Sequence, residues 1–479
     1  MRLFSFPAHA DQPSWKISVL PVALLLLCLV LVIALFGPDR ISEFSPYILL
    51  LTAAFALVLG LKARSVCRRG MTTGFMRSVR QILPAVPMLL CIAALSTTWM
   101  LSGVVPTLVD YGLAVLNPRL FLLVACMACA MISVLTGSSW STIATIGVAF
   151  MGIGSLMGYS AGWVAGAVIS GAYFGDKISP LSDTTVVASS TCGVDLFDHI
   201  RYLLITAIPA MSLALLVFGV RGLWSDPSVG SDSPMFINLL HEQYNITPWV
   251  MIIPALTITL IALRVNTLTV LATSALMGAA GIWIFQPQLG ISVIEVGSSV
   301  LSGNASASGD EMLDALLSTG GITGMLPTIF LVLSAMVFGG VLIGTGMLGS
   351  IARAITSRIK RRTSVVGATV GSGLCINAFT ADQYLSLIIT GNMFRNVYRR
   401  SALEMRLLSR SIEDSVSVTS VLIPWNSCGV TQSTVLGVST LTYLPYCVFN
   451  YLTPLMSLVM IWTGFKVRSL AGMAVGRAS

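Results

Sequence analysis

Long apolar runs alternate with short polar or basic loops along the whole chain. A helix that crosses a bilayer needs about 20 apolar residues at about 1.5 Å of rise each. Ile17 to Phe36, Pro46 to Leu61, Gln81 to Leu101, Tyr202 to Val220, Pro248 to Leu263, Asn266 to Phe285, Met325 to Gly349 and Pro445 to Phe465 read as single spans. The first of these is too long for a signal-peptide core and has no small-x-small cleavage site behind it, so it is expected to persist as a helix. Gly103 to Pro118 reads as an external linker. Arg221 to Thr247, rich in Ser, Pro and Asp, reads as a flexible external connection between two halves.

Four runs break the simple pattern. Leu120 to Leu156 is too long for one span and is interrupted by Thr136-Gly137-Ser138-Ser139-Trp140-Ser141-Thr142. Ala161 to Thr191 is interrupted by Gly175-Asp176-Lys177-Ile178-Ser179-Pro180-Leu181-Ser182-Asp183-Thr184-Thr185. Ser364 to Phe394 carries a polar break from Asn377 to Gln383, and Ser411 to Leu441 one from Ile423 to Gly429. Non-helical backbone at membrane depth survives only where protein or a water-filled cavity satisfies its amides and carbonyls, so these breaks predict a cavity.

Charge assigns the direction of each run. Lys62 to Arg80, Arg353 to Arg362, Arg395 to Arg410 and the tail with Lys466, Arg468 and Arg477 are basic and are expected on the cytoplasmic side. Both flanks of Ser364 to Phe394 are then cytoplasmic, which makes that run a hairpin entering and leaving by the same face. The flanks of Leu120 to Leu156 are poor in charge, so its hairpin is expected to enter from outside. The predicted fold is an all-α polytopic membrane protein built of inverted repeats, each with a re-entrant hairpin and a broken transmembrane helix. Residues 1–16 form a cytoplasmic tail, 17–220 the first repeat (hairpin 120–156, broken helix 161–191) and 221–247 an external linker. Residues 248–465 form the second repeat (hairpin 364–394, broken helix 411–441), and 466–479 a second cytoplasmic tail.

Composition excludes other classes. Of 479 residues 55% are hydrophobic and only 10% charged, with a mean hydropathy of +0.89; a soluble globule carries about a quarter charged residues. The net charge of +8 sits in the short loops and is topogenic, which argues against a nucleic-acid partner. The cysteines lie mostly in apolar stretches as packing residues, and Cys126-Met127-Ala128-Cys129 lacks the second pair that zinc would require. There is no nucleotide-binding loop and no base and nucleophile pair, so the chain reads as a carrier driven by ion gradients, without cofactor, and not as an enzyme.

A charge at mid-membrane costs roughly 3 to 10 kcal/mol unless something holds it there. Sodium takes about five or six hard oxygen donors, and Asp176, Ser182, Asp183 and Thr184 supply them, with Ser138, Ser139 and Thr142 facing from the hairpin. The only metal expected is sodium, on Asp176 and Asp183. Proton coupling requires a carboxylate desolvated enough to hold a proton near working pH, and Asp176, Asp183, Asp382, Glu413 and Asp414 are the candidates. Each has a structural competitor: an Asp176–Lys177 ion pair, helix or tip caps at Asp183 and Asp382, and a clasp of Glu413 and Asp414 on Arg410, three and four residues away. Trp140, Asn377, Thr380, Trp425, Asn426 and Ser427 are candidates to line a substrate cavity, the tryptophans equally as packing. His199 is placed in a loop and His241 in the external segment, neither with a metal-ligand partner.

The strings Thr136 to Thr142, Gly175 to Thr185, Asp382-Gln383-Tyr384 and Leu408 to Ser415 continuing to Leu422 to Gly429 resemble the NhaC family of sodium/proton antiporters, over about Gln81 to Phe465. The resemblance implies sodium/proton exchange, or in some relatives exchange of an organic acid or amine coupled to those ions, through an elevator-like homodimer. The sequence departs from the family at Thr390-Gly391, where Pro-Gly is usual, and at Val416 and Val421, where Gly and Pro are frequent; these positions bear on substrate identity. The expected function is sodium/proton antiport across the inner membrane by alternating access, with both termini cytoplasmic. The alternative is a sodium- or proton-coupled carrier of a small organic acid or amino acid. A channel is a third class, which two opposed hairpins disfavour.

Overall fold

A computed structural model describes residues 13–37, 40–63, 85–224, 233–263, 265–306, 314, 317–356 and 362–463. Both predicted cytoplasmic tails beyond these limits, most of the basic loop from Lys62 to Arg80, Arg358 to Arg361, and residues 225–232 of the predicted linker lie outside the described residues. The described residues are almost entirely helical, with one isolated bridge between Asn304 and Thr319. Among them seven helices are long and apolar enough to cross a membrane, or up to nine if each of two sharply bent pairs counts as one span.

The helices α1 (Trp15–Phe36) and α2 (Ile41–Lys62) pack together with α14 (Gly321–Gly344) through Leu25, Leu29, Leu49, Leu331 and Phe338. A second, larger core gathers α3 (Ala85–Leu101), α4 (Val104–Val115), α5 (Phe121–Thr136), α6 (Ser139–Leu156), α7 (Ala161–Ile178) and α9 (Leu196–Trp224). Between α7 and α9 lies α8 (Asp183–Cys192). The chain continues through α10 (Ser233–Gln243), α11 (Ile252–Ala262), α12 (Thr267–Phe285) and α13 (Val293–Ser302) to α14. After α15 (Met347–Thr356) come the second hairpin, α16 (Arg362–Thr380) and α17 (Gln383–Arg400), then α18 (Met405–Ile412), α19 (Ser427–Leu436), α20 (Thr440–Tyr443) and α21 (Val448–Thr463). A third core joins α8 to α16, α17 and α18 through Val366, Leu387, Phe394 and Leu408.

Two expectations change. Gly103 to Pro118 is not a linker: Val104–Val115 is a helix bent 66° from α3, with Val104, Val105 and Val109 buried. Gly103 makes the bend with φ +79°, which an L side chain rarely adopts. The described part of the predicted flexible connection is also mostly helix, since α9 runs to Trp224 and Ser233–Gln243 forms α10, with 244–247 irregular.

The two hairpins and two broken helices share one local design at a constant offset of 244 residues. Left-handed residues recur at 137 and 381, 158 and 402, and 193 and 437. Each hairpin tip is a left-handed residue followed by an extended N-cap, Gly137-Ser138 in one and Ala381-Asp382 in the other. Each helix break ends in a capping side chain, Ser182 and Asn426, whose oxygen accepts from a backbone N–H of the next helix. Even the contact between tip and broken helix repeats: Ser139 donates to Asp176, and at the matching positions Ser420 donates to Gln383.

Candidate functional site

The position of Asp176 follows from small residues upstream. In α7 a Cβ on Gly171 would stand 2.0 Å from the carbonyl oxygen of Cys126, and one on Gly175 would stand 2.3 Å from that of Ala130, so α5 and α7 touch backbone to backbone. The Ser133 hydroxyl crosses the seam to the Ala172 carbonyl at 2.6 Å. One residue beyond Gly175, α7 presents Asp176, and shortly after it Ser179-Pro180 stops the helix, since proline has no N–H and clashes with the preceding turn.

The tip of the first hairpin closes on this break. Gly137, with φ +65°, has room for no side chain: a Cβ would stand 2.5 Å from the Leu181 carbonyl carbon. The next turn aims two donors at one carboxylate oxygen, Asp176 Oδ2, from the Ser139 hydroxyl at 2.7 Å and the Ser139 backbone N–H at 3.1 Å. The Ser182 hydroxyl also faces Asp176. The remaining predicted donors are used inside the tip and the cap. Thr142 donates to the Ser138 carbonyl at 3.0 Å, Ser138 accepts from Ser141, and Thr184 is 2.9 Å from Ser182. Asp183 opens the next helix and is exposed, whereas Asp176 is partly buried. The hydroxyl of Tyr384 shares the electrostatic surroundings of Asp183, Asp176 and Asp382, so the second hairpin approaches the first break.

The second tip is braced by its own polar groups. Asp382 caps α17 by accepting from the Leu385 N–H at 2.8 Å, the structural role that competes with proton carriage there, and the Ser427 N–H donates to the Ala381 carbonyl at 2.9 Å. Asn426 donates to Asn377 at 3.0 Å, Asn377 to the Val416 carbonyl at 2.9 Å, and Trp425 to the Ala378 carbonyl at 2.8 Å; Thr380 donates to the Asp382 carbonyl at 3.2 Å. Trp140 differs. Its indole N–H and the buried hydroxyl of Tyr173 have no hydrogen-bond partner among the described residues, and both face the Cys428 thiol.

A second buried polar cluster lies behind Asp176, and it is the part that the sequence did not place. Lys177 does not pair with its neighbour Asp176. It reaches Asp414, 237 residues away, in an ion pair whose side chains are 1% and 0% exposed. Asp414 also accepts from Thr206 at 3.2 Å and from Ser457, and Arg410 Nε stands 4.0 Å from its other oxygen. Arg410, itself fully buried, stacks over Tyr202 with 4.7 Å from Cζ to the ring centroid. Asp414 therefore takes the clasp. Glu413 does not: it is fully buried and neither carboxyl oxygen has a hydrogen-bond partner among the described residues.

One further residue corrects the sequence reading, and a second gains a partner. His199 is not in a loop but in the first turn of α9, fully buried, with Nδ1 2.8 Å from the Ser409 hydroxyl. His241 is on α10 and pairs with Asp110 at 3.0 Å. The spacing from His199 to Thr206, seven residues and thus two helical turns on one face, is the signal that marks a polar stripe along α9 toward Asp414.

Comparison with known proteins gives a consistent result. A family model described as the Na+/H+ antiporter family matches residues 14–220 and 171–465. The chain is 35% identical over 373 residues to the Na(+)/H(+) antiporter NhaC of Alkalihalophilus pseudofirmus, covering 77% of this chain and 79% of that protein. It is 34% identical over 411 residues to the malate-2H(+)/Na(+)-lactate antiporter of Bacillus subtilis, covering 85% and 87%. With the arginine/ornithine antiporter ArcD of Halobacterium salinarum it shares 34% identity over 464 residues, covering 95% and 93%.

Proposed function

The chain belongs to the Na+/H+ antiporter family, and from that premise we propose that it exchanges sodium for protons across the inner membrane by alternating access. The observation that carries this reading is the meeting of hairpin tip and helix break at Asp176, where a carboxylate oxygen receives both the hydroxyl and the backbone N–H of Ser139. Sodium needs oxygen, and this place offers the Asp176 carboxylate, the hydroxyls of Ser139 and Ser182, and the carbonyls freed by the break. The recurrence of tip and break at an offset of 244 residues supports two repeats, spanning 17–220 and 248–465; their inversion and the cytoplasmic termini rest on the basic loops alone.

Glu413 is the group that carries the proton in this scheme. Lys177 and Arg410 are two buried cations, and Asp414 compensates one of them. Ionised Glu413 makes the cluster neutral; protonated Glu413 leaves it with one positive charge. Sodium arriving at Asp176, next to Lys177, adds positive charge and favours the ionised form of Glu413, so the proton leaves as the metal ion binds. The reverse exchange returns the proton when sodium departs.

The test is purified protein in liposomes with an internal pH dye, to which sodium is added. Sodium-driven proton movement without an organic solute is expected, with Asp176→Asn abolishing it in a folded protein. Retained exchange in that variant rejects Asp176. A second reading, coupled carriage of a small organic acid or amino acid, is supported by the Trp140 indole and Tyr173 hydroxyl, without hydrogen-bond partners among the described residues, and by the names of two relatives. A response that requires an organic solute would favour it.

A further inference from the structure

Helix α13 has ten residues and divides into three faces. Side chains follow one another at about 100° around a helix, so Val293, Gly297, Leu301 and Ile294 share one arc, and Ser298, Ser302 and Glu295 fill the next. Val296 and Val300 turn back into the protein, the first buried and the second half-buried. The arc of Val293, Ile294 and Leu301 is apolar and open, with these side chains 71%, 84% and 57% exposed. Ser292 and Glu295 close the start of the helix with a reciprocal capping box, so its position in the chain is set locally. Such a helix has two apolar contacts to make, and the fold supplies only the one at Val296.

The spans that α13 touches set its height. Val296 packs with Leu101, the last residue of α3, and with Ile282, in the last turn of α12, in a small core of their own. The Trp283 indole N–H donates to the Ile291 carbonyl at 2.9 Å and ties the lead-in of α13 to α12. At the other end Gly303 lies against Thr319, where a Cβ would stand 2.0 Å from the carbonyl oxygen, and the Thr319 hydroxyl is 3.1 Å from that of Thr97 on α3. A helix of about 15 Å therefore lies at the level where the spanning helix α12 ends, the boundary between acyl chains and headgroups. Trp224 at the end of α9 and Trp249 at the opening of α11 are exposed at the same ends of their spans, and indoles settle at headgroup level.

We propose that α13 is an interfacial helix, lying along the bilayer surface on the face where α12 ends. Val293, Ile294 and Leu301 enter the boundary between headgroups and acyl chains, and Glu295, Ser298 and Ser302 face water. By the assignment of the basic loops that face is the outer one. A second copy of the chain fits the arc less well, since three side chains offer a few hundred Å², whereas a stable protein interface covers about 800 Å² on each partner. No lysine or arginine stands between Gln286 and Gly321, so the contact is apolar and needs no anionic lipid. Held at both ends, α13 fixes the depth at which α3 and α12 end in the membrane. The inference uses the membrane class alone and does not depend on which ions or solutes are carried.

The experiment uses the full chain in liposomes, with a fluorescent amino acid replacing Ile294, Leu301 or Ser298, one at a time. All three sites are exposed, gel filtration checks that each labelled protein is folded, and Leu301 repeats the measurement if the change at Ile294 is not tolerated. The quenchers are iodide in the water and nitroxide lipids labelled near the top or in the middle of the acyl chain. Iodide is expected to quench at the Ser298 site about five-fold more than at the Ile294 and Leu301 sites, and the shallow nitroxide to quench those two more than the mid-chain one does. Replacing neutral lipid by anionic lipid is expected to leave this pattern unchanged. Equal iodide quenching at the three sites, strongest quenching by the mid-chain nitroxide, or a pattern seen only with anionic lipid overturns the proposal. Shielding of Ile294 and Leu301 sites from every quencher, with a benzophenone amino acid at the Ile294 site joining two copies, assigns the arc to a second copy and overturns it as well.

Discussion

Removing either partner of the Lys177–Asp414 pair should destabilise the protein far more than removing both. The pair is 1% and 0% exposed, so neither charge has solvent to fall back on. Opposite charges near 4 Å attract by about 4 kcal/mol at the effective dielectric of protein sites, and breaking a buried pair from one side costs about 3–5 kcal/mol because the other charge is stranded. Asp414→Asn strands Lys177 and removes the anion near Arg410; Lys177→Met leaves Asp414 with Arg410 at 4.0 Å and the hydroxyls of Thr206 and Ser457. The lysine variant should therefore be the milder of the two. Lys177→Met/Asp414→Leu removes one charge of each sign and leaves Arg410 with Glu413, so the buried cluster can stay neutral, and it is expected within about 1–2 kcal/mol of the parent, since replacing a buried pair by apolar groups is often neutral. Thr206 keeps a partner there, because it also donates to the Leu203 carbonyl at 3.1 Å. The assay is thermal unfolding in detergent followed by a thiol-reactive dye, for which the buried free thiols of Cys126, Cys129, Cys428 and Cys447 are reporters. Single variants that melt with the parent, or a double variant worse than both singles, would refute the stranded-charge account.

Ser139→Ala removes one of two donors to Asp176 Oδ2 and should raise the half-saturating sodium concentration about ten-fold, the value of one hydrogen bond to a charged group, with the protein still folded; an unchanged sodium dependence counts against Ser139 as a ligand. Gly171→Val drives a branched side chain into the Cys126 carbonyl oxygen, which lies 2.0 Å from where even a Cβ would sit, and should cost about 3 kcal/mol or more by forcing α5 and α7 apart, seen as loss of monodisperse protein on gel filtration. Near α13 the Ser292 N–H at 2.7 Å and hydroxyl hold the Glu295 carboxyl below the usual glutamate range. The folded-state value is depressed, so the cap contributes above the ordinary glutamate range and is lost as pH falls through the lowered one; a smaller protection factor for the Ser292 amide in acid, taken against the intrinsic rate at each pH, checks this.

The local devices were legible because their causes are local. Proline at 180 and 424, glycine at 137, and clusters of hydroxyls inside apolar runs declare a tip or a break wherever the chain goes. Charge in the loops likewise predicted hairpins without reference to any distant contact. Hydropathy and length therefore determined the all-helical membrane class, while turn residues and loop charge marked where tips and breaks were to be expected.

Only the tertiary structure decided which groups are paired. Asp176 and Lys177 are neighbours in the chain, and sequence offered each to the other, but helix geometry sends adjacent side chains about 100° apart, one to the hairpin tip and one to Asp414. The same rotation separates Glu413 from Asp414, so that one carboxylate is clasped and its neighbour is left free. The burial of His199, like the helix in the stretch expected to be a linker, depends on what the rest of the fold brings against it. Long-range packing sets the desolvation of each charge, and desolvation separates an acid that holds the structure together from one that can carry a proton.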